Sequence, residues 1–277
     1  MAKRKIKSSV ITTKKFRQQV WDYYATNRRS FAWRDNIVPY HVVISELMLQ
    51  QTQTFRVAEK FDHFVQLFPS FEALADAPFA LVLAAWKGLG YNRRARYAQQ
   101  IAQHIVEKHA GQLPADPLIL EVFPGIGPAT ARSIVVFAYN KPEVFIETNI
   151  RAVFIHHFFN HEHVVNDRDI VPLVAKTLDK KNPREWYYAL MDYGVMLKKQ
   201  FKNPARRSAH HAIQSRFEGS NRQLRGKLLA LLLKYGQLSF ADVYGLLPDW
   251  TPEKIDHALE QLVNEESVKR LVDFYTL

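Results

Sequence analysis

Apolar residues recur at three- and four-residue intervals along most of the chain. This period predicts helices over 14–26, 40–51, 54–67, 71–75, 79–86, 92–109, 116–122, 128–139, 147–159, 167–180, 184–198 and 205–216. Pro39 stands at the head of one helix, Ser70 is placed to cap another and Asp167 a third. Gly88 and Gly90 end one run and Gly111 the next. After Glu218-Gly219-Ser220-Asn221 the pattern changes. Residues 222–235 and 251–264 read as amphipathic helices, 239–247 as a shorter one, and Ser267 to Leu277 alternates as a small hairpin or wing. The expected fold class is all-α. A basic arm at 1–13 precedes a helical core at 14–218, and a winged-helix-like module follows at 221–277.

Composition narrows the function. The 277 residues are 47% apolar and carry a formal net charge of +11, a surplus that suits a polyanion such as nucleic acid. There are no cysteines, which excludes disulfides, thiolate-held metals, iron–sulfur clusters and cysteine nucleophiles. No apolar stretch follows Lys3, Arg4, Lys5 and Lys7, as a secretory signal requires, and no run approaches the ~20 apolar residues of a membrane span. A cytoplasmic, nucleoid-associated protein without membrane contact is expected. The acids Glu253, Asp256, Glu260, Glu265 and Glu266 make the last long helix a poor reader of a DNA groove and favour a packing role.

Phe123-Pro124-Gly125-Ile126-Gly127-Pro128-Ala129-Thr130-Ala131 lies between two helical patterns. Two glycines permit positive φ and close backbone approach, and Pro128 suits a first helical position. The free N–H groups of a helix start form an anion site, so Gly125, Ile126, Gly127, Ala129 and Thr130 are candidates to hold a DNA phosphate. An ordinary helix–turn–helix corner is the alternative. Arg93, Arg94 and Arg96, beside the Leu89-Gly90-Tyr91 turn, are candidate phosphate contacts or solvent-facing side chains.

Glu46 sits among Ile44, Leu47, Met48 and Leu49. Partial desolvation there would raise its pKa, as a general acid needs. An exposed helix face is the other reading.

Arg29-Ser30-Phe31-Ala32-Trp33-Arg34, Pro39 to Gln53 with Ser45-Glu46-Leu47-Met48-Leu49-Gln50-Gln51-Thr52, Trp86-Lys87-Gly88-Leu89-Gly90-Tyr91 and the Pro-Gly-Ile-Gly hairpin follow one another in order. Together they resemble the MutY family of adenine DNA glycosylases, within the helix-hairpin-helix superfamily. The resemblance covers residues 29 to about 198. It implies a two-lobed core, with a six-helix lobe at about 36–140 and a second lobe from 14–35 plus 141–218. It also implies a base flipped out of duplex DNA and Glu46 protonating the purine at N7. Leu49, Gln50, Gln51, Thr52 and Tyr91 would wedge into the stack or contact the opposite base, and Trp33 and Arg29 would line the base pocket. Plain core packing is the alternative for Trp33. The implied partner is double-stranded DNA with a mismatch or lesion, and a monomer is expected.

The chain departs from the family pattern in several places. Glu147, in Ile146-Glu147-Thr148-Asn149-Ile150, stands where the family has an aspartate. It is the candidate stabiliser of sugar charge, or else only an acid favoured by a helix N-terminus. The family's [4Fe–4S] ligands have no counterpart after Asp192-Tyr193-Gly194. Lys198, Lys199, Lys202, Arg206 and Arg207 stand in that loop instead, as DNA contacts or as a solvated face. Ala129 occupies the position of a Schiff-base lysine in bifunctional relatives, which predicts base excision without strand cleavage. Residues 221–277 are too short and too helical for the domain with which typical members read 8-oxoguanine, so that domain is expected to be missing. No cofactor is expected, although the hairpin leaves room for a monovalent cation. His156, His157, His161 and His163 show no metal-binding pattern such as HExxH. The leading expectation is a monofunctional glycosylase removing adenine opposite 8-oxoguanine or G. The alternatives are a glycosylase for T or U opposite G, or a weak or inactive lesion-binding protein.

Overall fold

The computed structural model describes residues 11–159, 162–212 and 214–277. Most of the expected basic arm, together with His161, lies outside these residues. In chain order the helices are α1 (Thr13–Asn27), α2 (Ala32–Asp35), α3 (Pro39–Leu49), α4 (Thr54–Leu67), α5 (Phe71–Asp76), α6 (Phe79–Trp86), α7 (Arg93–His109), α8 (Pro117–Leu120), α9 (Pro128–Tyr139), α10 (Thr148–Phe158), α11 (Asp167–Thr177), α12 (Pro183–Gln200), α13 (Asn221–Tyr235), α14 (Phe240–Leu246) and α15 (Pro252–Asn264). Three short strands, β1 (Gln237–Ser239), β2 (Lys269–Arg270) and β3 (Phe274–Thr276), complete the fold. Among the described residues no helix is long and apolar enough to cross a membrane.

Local chemistry accounts for the boundaries. The Thr12 hydroxyl accepts from Lys15 N and opens α1, and Ser70 does the same for α5 through Ala73 N. Ala110 at φ 50° and Gly111 at φ 75° stop α7, and Asn140 at φ 54° stops α9. Ser239 and Asp242 form a reciprocal capping box on α14.

Two expectations fail. The helix over 205–216 is only a 3₁₀ turn, Pro204–Arg207. The backbone beyond it pairs with Val165 instead: Val165 N donates to Arg207 O at 2.9 Å and Ala209 N to Val165 O at 2.9 Å. Asp167 is not a cap. Asn166 holds that position, and the Asp167 carboxylate takes two 2.7 Å bonds from Arg151.

The chain divides into two units. One comprises the described residues of Met1–Asp35, Ala115–Glu121 and Ile126–Ile213. Its core joins Phe16 of α1, Phe154 of α10 and Trp186 and Tyr187 of α12, all fully buried. Phe16 meets the Phe154 ring at 5.3 Å and the Trp186 ring edge-on at 6.1 Å.

The other unit comprises Asn36–Pro114, Val122–Gly125 and Gln214–Leu277. Here α3 to α7 bury Ile44, Leu47, Met48, Phe61, Phe64, Trp86 and Ile101. The C-terminal module within it runs helix–strand–helix–helix–strand–strand. Its antiparallel sheet has the order β1-β3-β2, with Leu238 opposite Tyr275, which is the arrangement of a winged helix.

Candidate active site and nucleic-acid interface

Pro39 starts α3, and the run Tyr40 to Met48 buries every residue except His41 and Glu46, which are half-buried. Glu46 is therefore the acidic break in a helix otherwise committed to the core. It also has a partner of its own within the fold.

One buried arginine shapes the surface just beyond. Arg94, on the first turn of α7, faces neither phosphate nor solvent: it is 5% exposed, because its guanidinium is drawn to the C-terminal end of α3. Its Nη1 donates to Leu47 O, Met48 O and Gln50 O at 2.7, 2.8 and 2.6 Å. Its Nη2 donates to Thr52 Oγ1 at 2.9 Å and to Gly90 O at 2.8 Å. Leu47 O, Met48 O and Gln50 O stand at the C-terminal end of α3, where the dipole favours a cation. Burial draws the guanidinium down to about 10.

The wedge candidates part company here. Thr52 is tied inward, donating to Leu89 O at 3.2 Å. Gln50 donates to Gly125 O at 3.1 Å and so links α3 to the hairpin. Leu49 is half-buried, whereas Gln51 is exposed and holds φ 53°. Such a backbone costs roughly 1–2 kcal/mol for a residue with a Cβ. Tyr91, also left-handed at φ 48°, lies 5.5 Å from the Arg94 guanidinium.

In the hairpin only Gly125 takes positive φ, at 76°, and a Cβ there would collide with the Tyr97 ring. Gly127 is extended and caps α9. Ile126 is buried and pins the turn, Gly127 and Ala129 are exposed, and Thr130 is half-buried. The amides of Ala129 and Thr130 stand at a helix start, where intrahelical acceptors are lacking. Arg93 is paired with Glu265 at 3.3 Å. Arg96 lies 3.7 Å from the Phe79 ring centroid and donates to Gln99 Oε1.

In the other unit Glu147 caps α10. Its Oε1 accepts from Asn149 N at 2.9 Å and Ile150 N at 3.1 Å, and its Oε2 accepts from Asn149 Nδ2 at 3.2 Å. Gly194 of α12 packs against this turn, where a Cβ would come within 2.5 Å of Asn149 O. Lys198, four residues on, shares that face of α12. Burial pulls its ammonium below the ordinary lysine value, Glu147 opposes the shift and Arg29 adds to it. Asp192, 2% exposed, takes Arg29 Nε at 2.7 Å, Arg29 N at 2.9 Å and Arg34 Nη1 at 3.0 Å. Arg29 is thus held by a carboxylate, and Trp33 is buried with its ring stacked on Phe31 at 4.8 Å.

Three residues of this geometry escape sequence reading. Arg94 looks like one of three equivalent arginines, and Asp192 and Gly194 look like mere markers of the following loop. The spacing Asp-x-Gly was the available signal: it places a buried acid and a bare backbone half a turn apart.

The loop after α12 does not fit an iron–sulfur cluster. Its donors are amines, guanidinium groups and a serine, and Ala205 and Ser208 are buried. Arg207 donates to Phe159 O at 2.6 Å, Glu162 O at 3.0 Å and Ile155 O at 3.1 Å, closing the end of α10. His157 packs against Phe16 and bonds Tyr193 Oη at 3.1 Å, and burial lowers it to about 4.

Residues 44–172 match the family described as HhH-GPD superfamily base excision DNA repair protein. The chain is 32% identical over 192 residues to the adenine DNA glycosylase of Buchnera aphidicola subsp. Baizongia pistaciae, covering 68% of this chain and 54% of that protein. It is 29% identical over 285 residues to the adenine DNA glycosylase of Mycobacterium tuberculosis, covering 91% of this chain and 89% of that one. A thermostable thymine-DNA glycosylase shares the fold with a TM-score of 0.59 at 22% identity, over 66% of this chain and 86% of the other. Endonuclease III in a non-covalent DNA complex shares it with a TM-score of 0.56 at 16% identity, over the same shares.

Proposed function

We propose, from the premise that this chain belongs to the helix-hairpin-helix GPD superfamily of base excision DNA repair proteins, that it is an adenine DNA glycosylase. The substrate is an adenine mispaired with 8-oxoguanine or guanine in duplex DNA. The observation that carries the reading is Glu46: a half-buried carboxyl on a helix where Val42 to Ser45, Leu47 and Met48 are all buried, inside the matched segment.

The chemistry needs an acid and a charge. Adenine leaves poorly as an anion, and a proton from Glu46 at N7 lets it leave neutral. The sugar then develops oxocarbenium character, which a fixed carboxylate stabilises, and water completes the hydrolysis. Glu147 is suited to that second role because two backbone amides hold its Oε1. The extra methylene relative to aspartate is taken up by the side chain folding back on its own helix. The α9 amides anchor a phosphate without reading sequence. Gln51, exposed and raised on a left-handed backbone, is the residue suited to fill the space of the flipped base. The reaction runs without a thiolate-held cluster, since there is no cysteine to bind one. With alanine at 129, the enzyme leaves an abasic site uncut.

A second reading rests on the same cap. A Glu147 carboxylate fully engaged by α10 stabilises the sugar poorly and would leave a weak enzyme that binds lesions. A panel of duplexes with A, T or U opposite 8-oxoguanine or G, each followed by alkali, decides. Adenine release only, with strand scission only after alkali, supports the proposal. Release of another base, or tight binding with no release, replaces it.

A further inference from the structure

The C-terminal module grips one side of the Gly88–Tyr91 turn. Arg222, in the first turn of α13, donates from Nη1 to Tyr91 Oη at 2.8 Å, and its guanidinium lies 5.4 Å from the Tyr91 ring. The Phe217 ring, 5.2 Å from the same guanidinium, supports it from the linker side. Arg94 stands 5.5 Å from the Tyr91 ring. Tyr91 is thus held by two guanidinium groups, one from the catalytic lobe and one from the module.

The rest of the contact fixes where Arg222 sits. Glu265, at the end of α15, pairs with Arg93 at 3.3 Å and with Arg225, whose Nη1 donates to it at 2.9 Å. Glu266 accepts from Gln100 Nε2 at 2.8 Å. Arg93 and Gln100 are seven residues apart and so lie on one face of α7. Of the five acids that made α15 unsuited to a DNA groove, Glu265 and Glu266 are spent on this face. The module is therefore latched to α7 through Glu265 and Glu266, and Arg222 is delivered to the turn.

The turn itself is not self-supporting. Gly88, Gly90 and Tyr91 all hold positive φ, at 99°, 71° and 48°. A tyrosine does not keep that conformation without external restraint.

We propose that Arg222 is a positioning residue for Tyr91, and that the winged module clamps the turn instead of reading DNA. The proposal rests on the glycosylase reading only in taking this turn to face the duplex. Two variants test it: Arg222→Met, which keeps the aliphatic stem, and Tyr91→Phe, which keeps the ring and loses the hydroxyl. Amide hydrogen exchange at residues 88–92 is read first, because it needs no activity. Arg222→Met is expected to speed exchange there about tenfold, with Arg222→Lys restoring part of the protection. Duplex binding and single-turnover adenine release follow. Each single variant is expected to weaken binding about fivefold, and the double variant to do no worse than either one. The dependence of log affinity on log salt should keep its slope. Unchanged exchange in Arg222→Met overturns the clamp. Additive losses, or a salt slope lower by about 0.9, overturn it in favour of a direct phosphate contact. Failure of the glycosylase reading shows separately, as a wild-type protein that releases no adenine.

Discussion

Arg94 decides the shape of the surface that follows the proposed acid. Its guanidinium is surrounded by carbonyl oxygens of α3 and the Gly90 turn rather than by a carboxylate. Removing it would leave several buried acceptors unpaired, each worth about 1–3 kcal/mol. Arg94→Met is therefore expected to cost about 3–5 kcal/mol and to lower the melting temperature by roughly 10 °C. A melting temperature within two or so degrees of wild type would show that the carbonyls find other donors. Position along a helix is legible in a sequence, but depth of burial is not. Arg93, Arg94 and Arg96 are chemically equivalent in the text of the chain. In the fold one is paired with Glu265, one caps α3 and one lies on Phe79. The half-burial of Glu46 agrees with its apolar flanks; Glu147 was singled out by the family resemblance, and its place at the start of α10 is the one an acid suits.

At the scale of elements, the contact between α10 and α12 governs where Glu147 stands. Gly194 lets the two helices close to a distance that a Cβ would block, at 2.5 Å from Asn149 O. Gly194→Ala is expected to displace the start of α10, destabilise the protein by about 1–3 kcal/mol and slow adenine release about tenfold, with duplex affinity little changed. A single-turnover rate equal to wild type would detach Glu147 from the reaction. Helix existence was readable because caps and periods agreed, as at Ser70 and Gly111. The helix over 205–216 was misread for a tertiary reason: that backbone is drawn into pairing with Val165, and Arg207 into closing α10. A periodic pattern carries no trace of such distant partners.

For the whole molecule, the basic surplus, the four ordered motifs and the mostly helical pattern agree on one class of protein. The alignment with the mycobacterial relative covers 91% of the chain, more than the 14–218 core alone could supply, so it reaches into the winged module. The module's outline was visible as a change of pattern after Gly219. Its attachment was not, because Tyr91 and Arg222 are 131 residues apart in sequence. Everything functional rests on the acid in α3. The most direct measurement is the single-turnover rate of adenine release from a duplex bearing adenine opposite 8-oxoguanine, wild type against Glu46→Gln, with duplex affinity measured alongside. The account predicts that the variant still binds the duplex and releases adenine at least a hundredfold more slowly. Equal rates in the two proteins would contradict it.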